Sequence, residues 1–99
     1  MKKTYKITHD KIKPARLIDS VKHDVKKYLK RERNKQLPKG VDFWDFDCKY
    51  GINEEEADVV HVSELNKYID EAETNKLKSF YIEILAAPGY RNKKEESKD

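Results

Sequence analysis

Six basic residues, Lys22, Lys26, Lys27, Lys30, Arg31 and Arg33, fall within twelve consecutive positions. At about 100° per residue on a helix, Lys22, Lys26, Lys30 and Arg33 lie within about 80° of one another. Lys27 and Arg31 widen the arc, and Arg16 extends it towards the N-terminus. Like charges four apart destabilise a helix by about 0.2–0.5 kcal/mol each. Lys22–Lys26 and Lys26–Lys30 are two such pairs in succession. A phosphate backbone would relieve them by releasing counterions, with no need for base contacts. The competing reading is a solubilising face, neutralised in part by acidic residues packed nearby.

A second set lies in Asp42-Phe43-Trp44-Asp45-Phe46-Asp47-Cys48. On a strand, Asp45 and Asp47 point the same way, about 6.5–7 Å apart. With His61 or Glu83 from another strand they are candidates to hold Mg²⁺ or another hard cation, as a hydrolase or nuclease would need. The plainer reading is the wet face of an antiparallel sheet, where acids are ordinary. Phe43, Tyr81 and Leu85 are expected on that same open face and are candidates for contact with a protein partner or a second copy. Sheet-face stacking of RNA bases is disfavoured, because Asp45, Asp47 and Glu83 surround the two aromatics and would repel phosphate.

The remaining reactive residues carry less. His23 falls on the polar side of the first helix, solvated or paired with Asp19, and His9 lies in a turn. Cys48 alternates with Trp44 and Phe46, so it reads as a buried core thiol. The three glycines, at 40, 51 and 89, form no phosphate-binding loop. No cofactor is implied, and a binding module is expected rather than an enzyme.

The elements that position these residues follow from periodicity. Tyr5 and Ile7 alternate with polar residues over 3–8, a first strand. Pro14 opens a helix over about 15–36, whose Leu17, Ile18, Val21, Val25, Tyr28 and Leu29 form one stripe about 120° wide. Leu37-Pro38-Lys39-Gly40 ends it. Trp44, Phe46, Cys48 and Tyr50 define a strand over 41–50. Residues 57–62 make a short third strand, in which either Val59 and His61 or Val60 and Val62 face outwards. Ser63 is placed to cap a second helix carrying Leu65, Tyr68, Ile69 and Ala72. Phe80, Ile82 and Ile84 alternate in a last strand closed by Pro88-Gly89. The order β-α-β-β-α-β predicts an α+β domain of ferredoxin-like, split βαβ type over 1–90, with a four-stranded, mostly antiparallel sheet and two helices on one face. Residues 91–99 are all polar and are expected to be a disordered tail. Such a fold says almost nothing about function.

Composition narrows the class. The chain has 99 residues, 41% of them charged and 36% hydrophobic, against about 25% charged in an average domain. One domain with a thin core fits this length. No apolar run approaches the roughly 18–20 residues of a membrane helix, so no membrane role is expected. The basic N-terminus lacks the apolar stretch of a signal peptide. A single cysteine excludes an internal disulfide, so a cytoplasmic setting is expected. The net charge of +3 conceals an asymmetry. Residues 11–39 carry eleven Lys and Arg against three acids, and 40–80 carry four Lys against eleven acids. A basic third beside an acidic middle fits RNA or DNA as a partner, and equally self-association through opposite patches.

The stretches Lys-Tyr-Leu-Lys-Arg-Glu-Arg (27–33), Leu-Pro-Lys-Gly-Val-Asp-Phe-Trp-Asp-Phe-Asp-Cys-Lys (37–49) and Ser-Phe-Tyr-Ile-Glu-Ile-Leu (79–85) resemble a family of bacterial proteins, each about 100 residues long, whose function is unassigned. The resemblance implies a small, free-standing bacterial cytosolic protein. It brings no activity, cofactor or catalytic residue.

Overall fold

The computed structural model describes residues 1–8 and 10–91. The expected tail therefore lies, from residue 92 onwards, outside the described residues, as does His9. In chain order the elements are β1 (Lys2–Lys6), α1 (Pro14–Arg33), β2 (Phe43–Gly51), β3 (Asp58–Val60), a 3-10 turn (Val62–Glu64), α2 (Leu65–Thr74) and β4 (Ser79–Gly89). The fold is α+β, with one antiparallel four-stranded sheet ordered β1-β4-β2-β3.

Both β-α-β crossovers straddle a strand. β1 and β2 run parallel with β4 between them, and β3 and β4 run parallel with β2 between them. In ferredoxin-like sheets the first and third strands are central; here β4 and β2 take those places. The reason is legible in the residues. β4 buries Phe80, Tyr81, Ile82 and Ile84, side chains from both of its faces, and needs a neighbour on each side. β1 and β3, with five and three residues, suffice as edges.

Both helices cover one face of the sheet. Ile18, Val21 and Val25 of α1 and Leu65, Ile69 and Ala72 of α2 join Tyr5, Ile7, Phe46, Cys48, Phe80, Ile82 and Ile84 in a single core cluster. Burying each large side chain is worth about 1.5–3 kcal/mol. Leu17, Tyr28 and Leu29 flank the cluster, so the whole expected stripe faces inwards. One residue was missed: Glu32 lies on the same stripe and is only 8% exposed. Its carboxylate is held by Lys35 at 3.0 Å and, more loosely, by Arg31 at 3.7 Å.

Several local expectations are corrected. Ser63 does not cap α2. It sits inside the 3-10 turn that precedes α2; the His61 imidazole caps that turn, its Nδ1 accepting the Ser63 N–H at 3.1 Å, while α2 itself starts from Glu64 with no side-chain cap. The open question at the third strand is settled: Val59 is 78% exposed, while Val60 and Val62 pack against the core. Pro88-Gly89 does close β4, but from within the strand, since Pro88 still pairs with Trp44. It is tolerated because β1 pairs only with residues 79–83, which leaves the far end of β4 bonded on one side alone. Trp44, expected in the core, is half-buried, and its indole N–H donates to the Lys35 carbonyl at 2.9 Å.

α2 ends in a paired-bond cap. Lys76 N–H donates to Glu73 and Leu77 N–H to Ala72, each at 3.0 Å, with Lys76 at φ 56°. This geometry suits glycine at the left-handed position, with an apolar residue following it. Left-handed backbone costs a side-chain-bearing residue about 1–2 kcal/mol. Lys76→Gly is therefore expected to stabilise the fold by about 0.5–1 kcal/mol, once the greater unfolded-state freedom of glycine is subtracted. Urea denaturation followed by circular dichroism checks this, and an unchanged or lower midpoint would refute it.

Candidate nucleic-acid interface

α1 positions the basic set because its apolar stripe must face the sheet, which turns its charges outwards. The six residues do not share one environment. Lys22 is bonded to Asp70 of α2. Lys22, Lys26 and Arg33 line an open cleft of about 590 Å³ between α1 and the start of α2, together with Asp19, His23 and Asn66. The Arg33 guanidinium also lies 5.4 Å from the centre of the Phe46 ring. Lys27 and Arg31 turn the other way, into a smaller groove beside β1. Lys26, Lys27, Lys30, Arg31 and Arg33 are all exposed. Among the described residues, no carboxylate lies within 4.0 Å of Lys26, Lys27 or Lys30. Sequence reasoning missed the Lys22–Asp70 pair. The two residues are 48 apart, and only the docking of α2 against α1 joins them.

The open sheet face is less apolar than its sequence suggests. Tyr81 points to the expected side but is 4% exposed, not an open aromatic. It pairs in register with Gly51, and the Ala57 backbone lies where a Gly51 side chain would begin. The β2–β3 turn thus closes over this end of the face. The Tyr81 hydroxyl donates to Glu83 at 2.8 Å. Burial, then that bonded carboxylate, pushes its phenol up to about 12. Phe43 is half-buried. Its ring occupies the space a side chain at Gly89 would need, and the Arg91 guanidinium sits 5.8 Å above it. Leu85 remains open, at 41% exposure.

Asp45, Asp47 and His61 do come together, along a shallow depression of about 340 Å³. Their donors are partly committed elsewhere. Asp45 Oδ1 accepts the N–H of Phe46 at 2.8 Å, and His61 Nδ1 accepts from Ser63. Among the described residues, no three His, Cys, Asp or Glu side chains form a group that could hold a metal ion. No helix of the described residues is long and apolar enough to cross a membrane.

Fold and surface together define a small α+β domain with one strongly basic helix face. The chain belongs to a family described as a family of unknown function (DUF6172), whose model matches residues 1–95. No curated protein and no solved structure matches the chain.

Cys48 and two tyrosines report on the core beneath these surfaces. Burial, then the charges of Asp47 and Asp45, pushes the Cys48 thiol up to about 11. Burial raises Tyr5 and Tyr50 to about 12, with further push from Asp24 and Glu71 respectively. Each folded-state value lies above its ordinary value, so the folded state holds these protons more tightly than the unfolded chain. Their contribution is complete below pH 9 and is lost as pH rises towards 12. The native protein is expected to resist thiol reagents at pH 8, to react stoichiometrically when unfolded in urea, and to lose stability steadily above pH 9. Rapid labelling of the folded protein would contradict this.

Proposed function

We propose that this domain is a non-enzymatic module that binds the phosphate backbone of nucleic acid through the outward face of α1. One observation carries the reading: among the described residues no carboxylate lies within 4.0 Å of Lys26, Lys27 or Lys30, which project from a rigid helix flanked by Arg31 and Arg33. Residues 22–33 span about 16 Å of helix axis. That length is enough to meet several successive phosphates of one strand. Such contacts position the ligand and carry no sequence information. The acidic sheet lies on the opposite face, so it does not oppose an approach to α1. A cytoplasmic setting agrees with the reading, since the one thiol is buried and has no partner for an internal disulfide.

Fluorescence anisotropy with labelled duplex DNA, duplex RNA and single-stranded RNA, at 50 and 200 mM salt, tests the proposal. The expected result is binding that weakens steeply with salt, by about 0.9 in the log–log slope for each duplex phosphate contacted. Lys26→Glu/Lys30→Glu is expected to abolish it. Absence of binding to all three ligands at 50 mM salt would overturn the reading.

A further inference from the structure

The two flanks of α1 are electrostatically unlike. On the α2 side, Asp70 has already claimed Lys22, and Asp19 lines the same cleft. On the β1 side, the structure adds a cation that helix periodicity could not supply. Lys3 pairs in register with the core residue Ile82, so it lies on the helix-facing side of the sheet, at its edge. There it lines a groove of about 250 Å³ with Tyr5, Asp24, Lys27, Tyr28 and Arg31.

We infer that this groove between β1 and α1 is a phosphate seat, with Lys3, Lys27 and Arg31 as its cations, and that a nucleic-acid strand crosses α1 towards β1 rather than towards α2. The inference rests on the α1 reading above and names residues that reading lacks. Two of the cations are placed in advance. The Lys3 ammonium lies 4.8 Å from the centre of the Tyr5 ring, and the Arg31 guanidinium 5.3 Å from that of Tyr28. A cation held over an aromatic face keeps its charge unneutralised, while one held by a carboxylate does not. Tyr28 is itself fixed, since its hydroxyl lies 3.2 Å from the Met1 amino group. Arg31 has a loose contact with Glu32 at 3.7 Å, but the closer partner of Glu32 is Lys35. Asp24 is the one acid lining the groove, and it faces the Tyr5 phenol. Counting side chains alone, three cations against one carboxylate leave an excess of two charges, beside the Met1 amino group that also lines the groove. The groove has the volume of about eight waters, at about 30 Å³ each, enough for one phosphodiester group in an open setting.

The test compares two double variants that remove equal charge: Lys3→Gln/Arg31→Gln in the groove, and Lys67→Gln/Lys76→Gln at two exposed positions on α2 and in the turn that ends it. Binding to a labelled 20-nucleotide single strand and its duplex is measured by anisotropy between 50 and 200 mM KCl, with circular dichroism to confirm the fold. The groove pair is expected to weaken binding about tenfold or more at 50 mM. It should also lower the duplex salt slope by about 1.8, the value for two lost contacts. The α2-side pair is expected to stay within about twofold of the wild type. Lys3→Arg, which keeps the charge, is expected to bind like the wild type. Equal losses in the two double variants would show that only net charge matters and would overturn the seat. Unchanged binding by the groove pair, with Lys26→Glu/Lys30→Glu still abolishing it, would overturn the seat and leave the α1 reading standing. No binding by the wild type would remove both.

Discussion

Burial of β4 is the constraint on which the rest of the molecule depends. With 41% of residues charged, the chain has few side chains that can be fully withdrawn from water. Four of them, Phe80, Tyr81, Ile82 and Ile84, sit within five residues of one strand. A strand that apolar must be central and covered. β2 therefore pairs along its whole length, β1 closes its first half, and both helices lie across it. Once α1 is committed to that role, its apolar stripe faces inwards and its lysines turn away from the core. The basic surface is thus a direct consequence of how the core is built.

The same economy explains Glu32 and Lys22. Glu32 occupies a stripe position at the last turn of α1, where the core gives way to the loop that follows. A carboxylate is tolerated there because Lys35 and Arg31 reach it and part of it stays wet. Lys22 lies where α1 meets α2, and Asp70 neutralises it. An exposed pair of this kind adds at most about 1 kcal/mol. Its larger effect is to remove one charge from the α2 flank of a row that is otherwise unopposed. The surface therefore has a direction that a tally of lysines would not reveal.

Much of this was legible from residue order. The alternation of Trp44, Phe46 and Cys48 and the 120° stripe from Leu17 to Leu29 announced β2 and α1, because each pattern has one period and one buried face. The strand order was not legible, since periodicity says which way a side chain points and not which strand lies beside it. Tyr81 failed for a related reason. Its side of the sheet was read correctly, but the cover supplied by the Gly51–Ala57 turn is a long-range contact with no local signature. Ser63 was read as a cap by residue type, whereas His61, two residues earlier, was free to accept its N–H. Lys3 went unnoticed as a neighbour of Arg31 because the two meet only after β1 has paired with β4.

β1 leaves one edge of its backbone open, as any outermost strand must. Lys2, Lys3 and Lys6 place three ammonium groups along its five residues, on both sides of the sheet. A second copy adding itself to that edge would bring like charges into register, and exposed edges guarded by lysine resist such growth. At the opposite edge β3 has only three residues, too short a template for lasting pairing. The lysines of β1, one of which also faces the groove beside α1, thus disfavour edge-to-edge growth of the sheet into a fibre.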